Sequence, residues 1–191
     1  VLENDTARFD NQVRAMVHAE AQPGLTEAMK LTTDVGSPAG VCVLTLAAFV
    51  IFWKRRKRRD AVVLAAAVIG ASIVDYALKA SFHRARPVPF FGLPAPLSFS
   101  FPSGHSMLAF CFYIVLAYLL CSHVASAGKR VTIWIGATAI FLLIGFSRIY
   151  LGVHYPSDVI AGYAAGSVWI AAVYTAEQIL RRRANIGQDL G

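Results

Sequence analysis

Phe101-Pro-Ser-Gly-His-Ser-Met-Leu-Ala-Phe-Cys-Phe-Tyr-Ile-Val-Leu-Ala-Tyr-Leu-Leu-Cys-Ser122 is a short polar lead running directly into an apolar stretch. Residues 105–122 contain no Asp, Glu, Lys or Arg. The run approaches the roughly 20 helical residues that cross a hydrocarbon core. Residues 36–53, 61–80, 131–149 and 157–178 have the same apolar character. The chain therefore reads as all-α, a polytopic transmembrane helix bundle with five spans. Composition agrees, since 57% of the 191 residues are hydrophobic and 15% charged. A soluble domain carries about a quarter charged residues, so a soluble globular enzyme is excluded. One bundle, residues 36–183, is the expected domain, with residues 184–191 as a tail.

The net charge of +7 concentrates in residues 54–59 (KRRKRR) and 181–183 (RRR). Each cluster follows an apolar run, where the positive-inside rule places Lys and Arg, so nucleic acid is not the expected partner. With 54–59 on the cytoplasmic side, the spans alternate so that residues 129–130 and 181–183 are also inside. The segments 79–104 and 148–158 then both face outward. Gly162 and Gly166 form a small-xxx-small pair suited to close helix approach. Cys42, Cys111 and Cys121 fall within apolar runs and show no metal-ligand spacing.

Residues 1–35 are expected outside, as an interfacial helical segment. Phe9, Val13, Met16 and Val17 sit at helical spacing. Pro23-Gly24 breaks that helix, and residues 25–33 form a second short one. A chain beginning outside, with Val rather than Met and no visible signal peptide, points to a preceding span.

Ionisable residues near a membrane face are costly and default to function. Most of them fall in Lys79-Ala-Ser-Phe-His-Arg-Ala-Arg86-Pro87, Phe101-Pro-Ser-Gly-His-Ser106 and Ser147-Arg-Ile-Tyr-Leu-Gly-Val-His-Tyr-Pro-Ser-Asp158. The topology brings all three to one side. No paired carboxylates suit a glycosidase, and no acidic cluster suits Mg²⁺ or Ca²⁺. Excess fixed positive charge instead calls for a polyanion, because guanidinium forks and the lysine point charge match phosphate oxygens. Pro102-Ser103-Gly104 opens a helix whose first N–H groups can face an anion. His154 and Asp158, four apart, can meet so that the carboxylate fixes the ring tautomer and frees the other nitrogen to attack. His105 could protonate the departing oxygen.

In order and spacing these segments are similar to the three signature motifs of the PAP2 (type 2 phosphatidic acid phosphatase) superfamily: KxxxxxxRP, PSGH and SRxxxxxHxxxD. They match at Lys79, Arg86 and Pro87, at Pro102, Ser103, Gly104 and His105, and at Ser147, Arg148, His154 and Asp158. The resemblance implies a six-helix bundle, five of its spans visible here, with the site at the outer leaflet. It implies His154 as the nucleophile forming phosphohistidine, Asp158 as its orienter and His105 as the general acid. Lys79, Arg86, Ser103, Gly104 and Arg148 would bind the phosphate, with neither metal nor cofactor. The implied substrate is a phosphate or pyrophosphate monoester of a membrane lipid, of the undecaprenyl pyrophosphate, phosphatidylglycerol phosphate, phosphatidic acid or lipid A type. A bacterial inner membrane, with the site extracytoplasmic, suits this family. Phosphotransfer between lipids, and lipid-phosphate binding or transport without catalysis, are the competing functions.

Beyond the motifs, Asp75 lies one turn before Lys79, where an i,i+4 ion pair would hold the lysine. Arg84 is assigned to the pocket rim, His83 to structure, and His18 and His123 to no role. Residues 88–101 are apolar for a loop, and read either as a lip dipping into the interface or as a packed cap.

Overall fold

A computed structural model describes the backbone of residues 2–94 and 96–189 and the side chains of residues 6–94 and 96–182. Arg183 and the expected tail side chains lie outside the described residues. Seven helices follow in order: α1 (Leu2–Ala19), α2 (Pro23–Val35), α3 (Pro38–Lys54), α4 (Arg58–Phe82), α5 (Gly104–Cys121), α6 (Ala127–Tyr150) and α7 (Pro156–Asp189). The described residues contain no strand, as an all-α reading requires.

α4, α5, α6 and α7 are each long and apolar enough to cross a membrane. The expected first span is different. α3 has 17 residues, about 25 Å at 1.5 Å per residue, one fewer than α5 and at the lower limit for a span. Only with α2, to which it is bent by 53°, does it pass as a fifth span. The break is local. Ser37 caps α3 by accepting from Gly40 N at 2.9 Å, and Pro38 occupies the first turn, where its missing N–H costs nothing.

α5 is central, packing on α3, α4, α6 and α7. More than half of its residues are buried, and Leu108 and Phe112 join Leu64, Phe141 and Ile144 in the main core. Burying such side chains stabilises the bundle only where helices contact each other, since lipid is as apolar as leucine. Close packing therefore depends on small residues. A Cβ on Gly162 would lie 2.8 Å from Ser103 O, and one on Gly166 2.9 Å from Phe110, so the small-residue pair faces α5.

α4–α7 follow one another antiparallel. The 83–103 connection and the 151–155 turn thus share one end of the bundle, and the 55–57 and 122–126 turns share the other. At that second end His123, read as having no role, bonds Asp60 at 2.6 Å. α1 and α2 lie against α6 and α7 at the first end. Tyr150 anchors α2 through its hydroxyl, 2.9 Å from Thr26 Oγ1 and 3.2 Å from Gln22 N.

Part of the apolar stripe of α1 faces away from the bundle. Phe9 and Met16 are exposed, and among the described side chains of this helix the buried one is Asp10. The inward face carries charge because it meets the polar end of the bundle rather than its apolar flank.

Candidate active site

Each of the three motif segments ends or begins a helix at this one end. Lys79 lies in the last turn of α4 and donates to Pro102 O at 2.7 Å and to the Asp75 carboxylate in a close ion pair. The expected Asp75 contact is therefore formed. Both side chains are mostly buried, so each needs the other. Gly104, first residue of α5, permits this: a Cβ there would sit 2.9 Å from Asp75 Oδ2.

Ser103 caps α5. Its hydroxyl lies 2.8 Å from Ser106 Oγ, and its N–H donates to Asp158 O at 3.0 Å, tying the start of α5 to the start of α7. His105, one residue into α5, is partly exposed and within Coulomb reach of Arg148, His154, Arg86 and Lys79. Ser147 donates back to Ile144 O at 2.6 Å within its own helix. Arg148 is buried. Its NH1 donates to Thr33 on α2, while its Nε is buried without an acceptor among the described residues. A buried donor left unpaired is costly.

Arg86 spans the site. Its Nε donates to Ser98 O at 2.7 Å and its NH2 to Ser98 Oγ at 3.0 Å. NH1 donates to Val153 O at 2.9 Å and meets His154 Nε2 at 2.8 Å. Because an arginine only donates, Nε2 carries the lone pair and the ring proton sits on Nδ1. That Nδ1–H faces Asp158 Oδ2 at 3.4 Å. The tautomer is the one a nucleophilic Nε2 requires. His154 is 1% exposed, and burial pushes its pKa down to about 4, with the Arg86 and Arg148 charges adding and Asp158 opposing.

Asp158, completely buried, sits in the first turn of α7. Its Oδ2 accepts from Tyr155 N at 2.9 Å and from Ser100 Oγ at 2.5 Å, and its Oδ1 accepts from Arg84 NH1 at 2.6 Å. The bond to Tyr155 N is one half of a capping box. Arg84, assigned to the rim, instead bridges Asp158 to Asp10. Sequence reasoning missed Ser100 and Asp10, because neither has a neighbour pattern that marks it.

The 88–101 loop divides between its two readings. Phe90 stacks on His18 at 3.9 Å and Phe91 on Tyr150 at 5.6 Å, forming a packed cap. Val88, Leu97 and Phe99 remain exposed. His83 closes α4 in the left-handed conformation at φ 47°, a structural position.

An apolar helical bundle with a cationic, histidine-bearing cluster at one end defines an integral membrane protein. Comparison with known proteins gives the family. The model of the PAP2 superfamily matches residues 60–182. Phosphatidylglycerophosphatase B of Bacillus subtilis (strain 168) is 34% identical over 164 residues, covering 84% of this chain and 79% of that protein. The crystal structure of a transmembrane PAP2 type phosphatidylglycerolphosphate phosphatase from Bacillus subtilis superposes with a TM-score of 0.81 at 32% identity, covering 92% of this chain and 87% of that one. An undecaprenyl-diphosphatase of Sulfolobus acidocaldarius is 31% identical over 122 residues, which cover 61% of this chain and 54% of that protein. The chain thus spans about half the length of the archaeal relative. The protein belongs to the PAP2 superfamily, a family of phosphatases.

Proposed function

We propose that this protein hydrolyses a phosphate or pyrophosphate monoester of a membrane lipid through a phosphohistidine, without a metal. The observation that carries the reading is His154, held as the Nδ1–H tautomer against Asp158 with its Nε2 lone pair facing the cationic wall. An incoming phosphate draws Arg86 NH1 to its own oxygens and frees Nε2. Lys79, Arg148 and the first N–H groups of α5 take the remaining oxygens, where negative charge builds. Nε2 then bonds phosphorus while the P–O bond to the lipid breaks, and His105 gives the leaving oxygen its proton. The cationic phosphoimidazole keeps its Nδ1–H on Asp158. In the second step water attacks phosphorus, His105 accepts the water proton, and the P–N bond breaks to release orthophosphate.

Two further features support a lipid substrate. An apolar cavity of about 510 Å³, lined by Cys42, Leu46, Phe49, Ile69 and Leu108, lies along α3 and α4 and would take acyl or prenyl carbon. Arg55, Arg58, Arg59 and Arg130 all lie toward the end opposite the site. This supports placing that end in the cytoplasm and the site outside, in a bacterial cytoplasmic membrane. Phosphatidylglycerol phosphate heads the substrate panel because the relative of that name aligns along most of its length.

The test is phosphate release in detergent from phosphatidylglycerol phosphate, undecaprenyl pyrophosphate, phosphatidic acid and lipid A, with EDTA, beside His154→Ala. Release that persists in EDTA and vanishes in the variant is expected. Release abolished by EDTA, or surviving in His154→Ala, refutes the mechanism. An added acceptor lipid distinguishes hydrolysis from phosphotransfer.

A further inference from the structure

Asp10 stands outside every motif segment, yet it is completely buried on α1 at the site end. Its Oδ1 accepts from Ser157 N at 2.9 Å, and its Oδ2 accepts from Ser157 Oγ at 2.6 Å and Arg84 NH2 at 2.7 Å. The carboxylate thus caps the first turn of α7 from another helix, satisfying a donor that α7 itself cannot. The other arm of Arg84, NH1, donates to Asp158 Oδ1 at 2.6 Å and to Ser157 Oγ at 2.8 Å. The guanidinium lies over the Tyr155 ring, 4.3 Å from its centroid. A planar fork therefore joins two buried carboxylates, the second of which faces His154 Nδ1.

Charge balance gives this chain its effect. Arg84 shared between two carboxylates leaves Asp158 enough negative charge to hold the imidazole Nδ1–H, a contact already long at 3.4 Å. With Asp10 neutral, the whole guanidinium charge falls on Asp158 Oδ1 and draws that carboxylate from the ring. We infer that Asp10 is a positioning residue for His154, acting through Arg84 and Asp158, so that α1 completes the active site. The inference rests on the phosphohistidine reading above.

The test uses the full chain in detergent. Asp10→Asn is expected to lower kcat on the order of tenfold, as loss of an outer partner does, with KM within twofold of the parent. Arg14→Gln is the control for helix docking. Arg14 holds the same helix through Val88 O at 2.9 Å and Gly152 O at 3.2 Å. It shares the Tyr155 ring with Arg84, at 5.4 Å from the centroid, but hydrogen-bonds none of Asp10, Arg84 and Asp158, and kcat of the variant is expected within twofold of the parent. Nitrogen-15 histidine spectra, with the His154 signal identified by its loss in His154→Ala, should show the Nδ1–H resonance moving in Asp10→Asn and not in Arg14→Gln. Should Asp10→Asn not fold, Arg84→Lys keeps the charge, breaks the fork and is expected to move the same resonance.

An unmoved resonance overturns the inference, whatever happens to kcat. Equal kcat losses in Asp10→Asn and Arg14→Gln that follow their losses in Tm also overturn it, since docking alone would then explain them. If the parent releases no phosphate from any lipid, the spectra still decide. A moved resonance upholds Asp10 while the phosphatase reading falls.

Discussion

Replacing Asp158 by asparagine keeps the shape of the residue and changes only charge and donor pattern. The surrounding bonds decide which way the carboxamide turns. With its oxygen in the Oδ2 position, it still accepts from Tyr155 N, Ser100 Oγ and His154 Nδ1, but its NH2 then faces Arg84 NH1 across 2.6 Å. With the oxygen toward Arg84, the NH2 faces Tyr155 N and His154 Nδ1, and Ser100 can rotate to accept. The first orientation opposes a donor to a partly exposed cation, the second a donor to one neutral amide, and hydrogen bonds of charged groups are the more expensive to break. The second wins. His154 Nδ1 then becomes an acceptor, the ring proton moves to Nε2, and the attacking lone pair is gone. A wrong tautomer in the comparable His–Asp pair of serine proteases costs about 10⁴ in rate. A loss of roughly 10³ to 10⁴ in kcat, about 4–5 kcal/mol of barrier, is therefore expected. Phosphate release measures it, with acid-quenched trapping of phosphohistidine to place the defect in the first step. Activity within tenfold of the parent would refute the tautomer argument.

Acidity gives a second prediction. Attack needs an unprotonated ring, so with His154 pushed down to about 4 from 6.5 by burial, the acid limb of kcat/KM is expected near pH 4. The same shift makes the folded state bind its proton later than the unfolded chain. This contribution to stability is complete above pH 6.5 and is lost as pH falls from about 6.5 to about 4, so Tm of the parent should fall more steeply there than Tm of His154→Gln. In Asp75→Asn, Lys79 loses its charge-assisted partner, worth about 1.5 kcal/mol or more, and KM for the lipid phosphate should rise about tenfold. An unchanged KM would remove Asp75 from the site. Gly104→Ala pushes a methyl to 2.9 Å from Asp75 Oδ2 and is expected to raise KM in the same way. The double variant should be scarcely worse than either single one, because both act on one contact.

What the sequence discloses and what it withholds follow from range. Apolar runs declare spans because lipid demands them residue by residue, and the parity of four antiparallel helices is enough to bring Lys79, His105 and His154 to one end. The start of α3 depends instead on Ser37 and Pro38, a local cap set where the apolar run begins. On α1 the periodicity of Phe9 and Met16 is real but marks the outward face, since the inward one meets charge. Asp10 pairs with Ser157 across 147 residues, and no spacing rule reaches that far. The hold of Arg86 on His154 Nε2 depends on one guanidinium conformer anchored at Ser98. Composition and spacing name both residues without showing that they touch.

The distance between Asp10 and Ser157 also bears on how the molecule is made. At roughly 5–20 residues per second of synthesis, the 147 residues separating them take about 7 to 30 s to emerge. About halfway through that interval Arg84 becomes available to the Asp10 carboxylate, while Ser157 is still to come. The turn carrying His154 follows α6, and the bond from Ser157 N to Asp10 can form only once the start of α7 has been made. A chain stalled before α7 therefore carries His154 without the Asp158 carboxylate that faces its Nδ1.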